Sequence, residues 1–93
     1  MPKDYPVILF YKYVAIADPQ GFAAAQRELC SALGLKGRIL IATEGINGTL
    51  AGPRAAVEEY VVALRADERF ADIEMKVSAG DEQTFPKLAI KVR

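Results

Sequence analysis

Apolar residues form patterns typical of β-strands in four parts of the chain. The segment 7–14 is rich in β-branched and aromatic side chains, and 37–43 is a continuous apolar run bounded by glycine, which predicts a central strand. At 73–78 and 87–93, apolar and polar side chains alternate, which predicts strands with one buried face. A short fifth strand is predicted at 49–51.

Two further segments carry apolar residues at helical spacing. Asp18 is a good N-cap and Pro19 fits the first helical position, while Gly34 fits a left-handed stop. These signals predict a helix over 19–33. A second helix is predicted after Gly52, with apolar residues at i, i+3, i+4 and i+7: Val57, Tyr60, Val61 and Leu64.

The order of these elements predicts an α+β domain with the ferredoxin-like βαββαβ plan. This plan has an antiparallel sheet with two helices on one face, here with an extra C-terminal strand. The other face of the sheet is then open, but both faces of 7–14 are largely apolar and do not indicate which one is covered. We expect residues 1–93 to form one domain. Because strand alternation continues to Arg93, we also expect this domain to be a piece of a longer protein.

The amino-acid composition argues against several kinds of catalytic and metal-binding chemistry in this chain. The 93 residues include no histidine, which is the commonest general base and metal ligand. The spacing of the acidic residues matches no EF-hand loop, so we expect no metal and no cofactor. The only cysteine, Cys30, falls late in the first helix, where a packed thiol is favoured over a reactive one. We expect a cytoplasmic protein without a membrane segment.

Overall charge gives no direction for binding. Twelve basic residues balance twelve acidic ones, so no net field attracts nucleic acid or membrane. A local basic patch is still compatible with this balance.

The stretch TEGINGTLAG at 43–52 is the most unusual part of the chain. It lacks the Gly-Lys-Ser/Thr of a phosphate-binding P-loop. Asn47 and Gly48 predict a two-residue hairpin turn, since both tolerate positive φ. Gly45 indicates a bulge or a closely approaching backbone. For Glu44 we favour a structural role, accepting backbone N–H groups, over general acid–base chemistry.

Aromatic and basic residues on the predicted strands are candidates for nucleic-acid contact. Tyr11 and Tyr13 share one face and form either a stacking platform for bases or part of a core or interdomain contact. The basic residues form either a phosphate-binding patch or a solvated sheet edge, and both interpretations stay open. These basic candidates are Lys12, Arg38, Lys76, Lys87 and Lys91.

The run GRILIATEGINGTLAG at 37–52, with YKY at 11–13 and FPKL at 85–88, resembles a known family. It is similar to the N-terminal, acylphosphatase-like domain of the rhodanese-related UPF0176 family, whose better-described members are tRNA uridine hydroxylases. The resemblance implies oxygen-dependent 5-hydroxylation of the wobble uridine of tRNA by the full-length protein. It also implies that a rhodanese-like domain with the reactive cysteine follows Arg93.

In that setting this chain is expected to carry no catalytic residue. It would be a substrate-handling module whose partners are tRNA and the rhodanese-like domain. The glycine-rich hairpin, with Glu44, Gly45, Asn47 and Gly48, would be a contact loop.

Two other functions are compatible with this fold. A stand-alone acylphosphatase-type hydrolase needs an arginine-bearing anion loop after the first strand. The corresponding segment 14–22 reads VAIADPQGF and contains no arginine. A purely structural domain that packs on the rhodanese-like domain would show an apolar patch of several hundred Å² on its open sheet face. A basic open face would favour RNA instead.

Overall fold

Two helices cover one face of a five-stranded sheet in the computed structural model, which describes residues 4–93. The strand order is β4-β1-β3-β2-β5. The first four strands pair antiparallel, in the ferredoxin-like arrangement that the sequence predicts. The elements are β1 Pro6–Tyr13, α1 Pro19–Leu33, β2 Lys36–Ala42, β3 Gly45–Ala51, α2 Arg54–Arg65, a 3₁₀ turn Glu68–Phe70, β4 Lys76–Ala79 and β5 Leu88–Val92.

The predicted extra strand is present, but it makes the sheet mixed, because β5 pairs parallel to β2. The reason is the route of the chain. β4 and β5 lie at opposite edges of the sheet, and β4 runs opposite to β2. The chain leaves β4 at one end of the sheet and starts β5 at that same end, so β5 runs opposite to β4 and therefore parallel to β2.

The ends of α1 form as the sequence predicts. The carboxylate of Asp18 accepts the N–H of Gly21 at 3.0 Å. Gly34 adopts φ 70°, and its N–H donates to backbone carbonyls of the last turn. The helix therefore begins and ends on local signals rather than on tertiary contacts.

The core lies between the helices and the sheet. Its largest members include Phe10 of β1, Tyr60 of α2 and Phe70, each no more than 1% exposed. The Tyr60 hydroxyl donates to the side-chain oxygen of Gln26 at 2.6 Å, which satisfies a buried polar pair between α1 and α2.

The predicted strand at 73–78 is shorter than its alternation indicates, because β4 begins only at Lys76. Ile73 is buried but lies outside the strand. Its N–H donates to the carbonyl of Phe70 at 3.1 Å, and its own carbonyl accepts from the guanidinium of Arg65 at 2.8 Å. These bonds hold the Ile73 backbone away from β1.

The predicted hairpin turn at Asn47 and Gly48 is wrong. Ala42 pairs with Gly45, so Thr43 and Glu44 form the turn between β2 and β3. Gly48 lies within β3, where an added Cβ would stand 2.4 Å from Cζ of Phe10. The glycine is therefore required by the packing of an aromatic ring, not by a turn.

Candidate nucleic-acid interface

The face of the sheet opposite the helices, here called the open face, is identified by the register of the strands. Ile8 and Phe10 of β1 point toward the helices and are buried. Their neighbours Tyr11 and Tyr13 therefore lie on the open face, where they are 65% and 83% exposed. This exposure excludes a place in the core of the domain and leaves base stacking or interdomain packing.

Cationic side chains occupy the open face on three strands. Arg38 of β2 shares a row with Thr49 and Ala89, and Lys91 of β5 shares a row with Leu40. Within residues 4–93, no strand position on this face carries a carboxylate. With the two residues that flank β5, the open-face cations are Lys36, Arg38, Lys76, Lys87, Lys91 and Arg93.

None of the side chains of these open-face cations makes a hydrogen bond or an ion pair with another described residue. The cations on the rest of the described chain are all engaged. Arg27 donates to the Ile90 carbonyl at 2.8 Å, and Arg54 pairs with Asp4. The remaining engaged cations are Lys12, Arg65 and Arg69.

Lys12 is separated from the other basic candidates. Its side chain lies on the helix side of the sheet, where it donates to the Arg69 carbonyl at 2.6 Å and pairs with Asp72. The hydrogen bond from Lys12 lowers the pKa of the Asp72 carboxyl below its usual value. Lys12 thus connects β1 to the segment after α2 and does not join the open-face cations.

A shallow depression lies at the end of the open face beside the β2–β3 turn. It measures about 200 Å³, below the roughly 300–1,000 Å³ of pockets that enclose a small molecule. The two tyrosine rings meet edge to face, with centroids 6.4 Å apart and planes at 74°. The lining residues that reach the open face include Tyr11, Tyr13, Leu40, Glu44, Asn47 and Arg93.

Sequence reasoning missed two of the open-face cations, Lys36 and Arg93. The two-residue period could have found both. Lys36 precedes Arg38 by two positions on β2, and Arg93 follows Lys91 by two positions at the end of β5. Each therefore shares a face with a residue that was already a candidate.

The residues of the turn have separate roles. The carbonyl of Glu44, not its carboxylate, accepts the N–H of Val14 at 3.0 Å, and the exposed carboxylate makes no hydrogen bond within residues 4–93. Gly45 is the closely approached backbone that the sequence indicates, since a Cβ there would stand 2.2 Å from the carbonyl oxygen of Lys12. Asn47 is exposed on the open face. Gly48 faces the core.

The described residues offer little for catalysis. Burial raises the pKa of the Cys30 thiol to about 12, so it stays protonated and is packed among apolar side chains. In residues 4–93 no three His, Cys, Asp or Glu side chains group closely enough to hold a metal ion. Helices α1 and α2, with 15 and 12 residues, are too short to span a lipid bilayer. The arrangement is suited to binding a polyanion.

Comparison with known proteins adds a family and a fold. A profile of the "UPF0176 acylphosphatase like domain" family matches residues 5–93. Two proteins named tRNA uridine(34) hydroxylase are similar to the chain. The Staphylococcus carnosus protein is 49% identical over 90 residues (97% of the chain), and the Enterococcus faecalis protein is 48% identical over 89 residues (96%). The chain spans only 28% of the length of each.

Solved structures show the same fold at low sequence identity. The BLUF protein BlrB in its dark state superposes with a TM-score of 0.76 at 21% identity, covering 99% of this chain and 74% of BlrB. Full-length HypF gives a TM-score of 0.61 at 14% identity, covering 97% of this chain and 12% of HypF. These likenesses concern the fold alone.

Proposed function

Because the chain belongs to the UPF0176 acylphosphatase-like domain family, we propose that it is the tRNA-contacting domain of a tRNA uridine hydroxylase. The complete protein would be cytoplasmic and would form 5-hydroxyuridine at the wobble position. A rhodanese-like domain after Arg93 would carry the chemistry. The described residues of this chain would position the substrate and take no part in bond making.

One observation carries the proposal: the described cations on the helix side of the sheet have partners, and the side chains of those on the open face do not. Those on the helix side are paired with carboxylates or hydrogen-bonded to backbone carbonyls, so they contribute to the fold. The side chains of those on the open face have no described partner, and no described strand position among them carries a carboxylate, although Glu44 of the β2–β3 turn reaches the end of this face. A row of unpaired cations gains most when it neutralises phosphates, because bound counterions are then released.

The same observation weighs against a purely structural role. The open face exposes apolar and aromatic area at Leu9, Tyr11 and Tyr13 (45%, 65% and 83% exposed). Lys76 lies directly beside Leu9 on β4, and Arg38 lies on the other side, beyond Thr49 of β3. A domain that packed permanently on this surface would have to supply a carboxylate for each of these charges, because a buried and unpaired cation is costly.

An acylphosphatase-type activity has less support still. The described segment between β1 and α1 contains no arginine to hold an acyl phosphate. We expect the chain to leave acyl phosphates intact in a hydrolysis assay.

The test measures binding of the chain to a tRNA anticodon stem-loop over a range of salt concentrations. The double variant Arg38→Gln, Lys91→Gln removes two open-face charges. Ala24→Glu, Ala63→Glu changes the net charge equally, at exposed positions of α1 and α2. We expect the first variant to bind about tenfold more weakly and to lower the slope of log K against log salt by roughly 1.4–1.8.

The helix-side variant should bind almost as well as the original chain, with the same slope. Equal losses in the two variants would mean that only net charge matters and would contradict a specific role for the open face. A chain that is folded yet binds no stem-loop at low salt would overturn the proposed function itself.

A further inference from the structure

We propose that the depression beside the β2–β3 turn seats one unpaired nucleobase of a single-stranded RNA, stacked on Tyr11 and Tyr13. This inference rests on the proposed function and assigns separate roles within it. The cations of the open face hold phosphates without regard to sequence. The two tyrosines distinguish an unpaired base from a paired one.

The exposure of the two rings is the first argument. Tyr11 and Tyr13 are among the most exposed large apolar side chains in the described range, and they contact each other edge to face. Two adjacent rings at this angle present a flat ring surface beside a ring edge. Exposed aromatic faces on a sheet of this topology are well placed to stack with bases, at a gain of roughly 1–3 kcal/mol per base.

The residues opposite the tyrosines leave room for a base. Tyr13 pairs with Gly45, which has no side chain, and Tyr11 pairs with Asn47. The close approach of the Lys12 carbonyl excludes any side chain at Gly45, so none can cover the surface beside Tyr13. The depression of about 200 Å³ suits one flat ring at the surface rather than an enclosed ligand.

Polar groups at the rim supply the remaining contacts of a nucleotide. The exposed amide of Asn47 offers one acceptor and two donor hydrogens for the edge of a stacked base. Arg93 lines the same depression, and its side chain has no described partner, so its guanidinium is available to a phosphate. Lys91 lies in the row of Tyr11, three strands away, or about 14 Å.

This arrangement requires a single strand. In a duplex the bases are stacked on one another, and the tyrosine rings would meet only the backbone. A tRNA anticodon loop, in contrast, presents unpaired bases next to phosphates. The open face is therefore matched to a loop by its rings and to any nucleic acid by its charges.

The test compares ring removal with ring retention. Tyr11→Leu and Tyr13→Leu remove a ring, while Tyr11→Phe and Tyr13→Phe keep it. Binding of a short single-stranded oligouridylate and of an RNA duplex is measured for each variant of the 93-residue chain. Quenching of tyrosine fluorescence gives a direct signal, since Tyr5 and Tyr60 are buried and Tyr11 and Tyr13 are exposed.

We expect each leucine variant to lose roughly ten- to a hundredfold in affinity for the single strand, with an unchanged salt slope. The phenylalanine variants should bind like the original chain, and the duplex should bind more weakly and without quenching. Such a result would support a base-stacking site.

Several results would overturn the inference. If the leucine variants bind normally while Arg38→Gln, Lys91→Gln binds weakly, the face contacts phosphates only, and the proposed function stands without the stacking site. If the leucine variants bind RNA normally but detach from the rest of the full-length protein, the tyrosines pack on another domain. If no variant and no original chain binds RNA, both proposals fail together.

Discussion

At the scale of single residues, the glycines of the β2–β3 hairpin decide how closely β1 and β3 approach. Gly45 has no space for a side chain, because the carbonyl oxygen of Lys12 lies where a Cβ would stand. Its φ of 157° also falls outside the usual range of other residues. Since Gly45 pairs with Tyr13, this contact also fixes the floor of the depression.

Replacing Gly45 by alanine should therefore be costly. We expect Gly45→Ala to lower the free energy of unfolding by about 2–4 kcal/mol, because the backbone of β1 must move away from β3. Chemical denaturation measures the loss.

Gly34→Ala is the matched control for this change. Gly34 adopts φ 70° at the end of α1, but nothing lies within 4 Å of a Cβ placed there. Only the backbone conformation opposes an alanine, at a cost of about 1–2 kcal/mol. Equal losses at the two glycines would show that the strands separate easily and that close approach is not what selects Gly45.

At the scale of elements, β4 is the weakest strand of the sheet. It has four residues, all of them exposed, and it pairs only with Pro6–Leu9 of β1. The segment before β4 is fixed by Ile73, which is 2% exposed and belongs to the core, whereas Val77 within β4 is 61% exposed. The position of β4 therefore depends on a residue outside it.

Two alanine variants separate these contributions. Ile73→Ala should destabilise the domain by about 2–4 kcal/mol through the cavity it leaves. Val77→Ala should change stability by less than about 0.5 kcal/mol, although alternation places both residues on one face of a strand. Urea unfolding measures both, and similar losses would mean that β4 itself anchors the sheet edge.

The elements also show how far local sequence signals extend. Helix α1 was predictable to the residue, because Asp18 and Gly34 act within one turn of the helix ends. β4 was predicted too long, because Ile73 keeps the strand period while its backbone bonds go to Phe70 and Arg65. No local pattern records that competition.

The turn was misplaced for a related reason. Asn47 and Gly48 form a strong turn signal when only neighbouring residues are considered. Gly48, however, is a glycine because the ring of Phe10 from another strand fills the space of its side chain. A tertiary packing contact and a tight turn both favour glycine, so the sequence alone does not distinguish them.

The sequence predicts which residues of a strand share a face, but it does not predict which face the helices leave uncovered. The period of two places Tyr11 with Tyr13, and Arg38 with Lys36, without any structure. The pattern could not decide which face of β1 the helices cover, since Leu9 and Phe10 are similarly apolar. Only the register across the sheet brings the tyrosines and the open-face cations to one surface.

At the scale of the whole molecule, the balanced charge conceals a polarity. The open face carries unpaired cations, and the helices carry exposed carboxylates on the opposite side, at Glu28, Glu58 and Glu59. The domain is 18 Å across its shortest dimension, beyond the Debye length of about 8–10 Å at 0.1–0.15 M salt. A ligand on the open face is therefore exposed mainly to the cations, despite a net charge of +0.

A cation-exchange resin at pH 7 tests this polarity without any RNA. The resin should retain the chain at low salt, because the molecule can turn its open face to the surface. The double variant Arg38→Glu, Glu59→Lys keeps the net charge but weakens the polarity, so it should elute at lower salt. Glu59→Gln, Ala63→Glu also keeps the net charge but moves a carboxylate by only one turn along α2, and it should elute with the original chain. If all three coelute, the distribution of charge over the two faces has no effect on binding, and the affinity of the open face for phosphates would have to come from specific contacts alone.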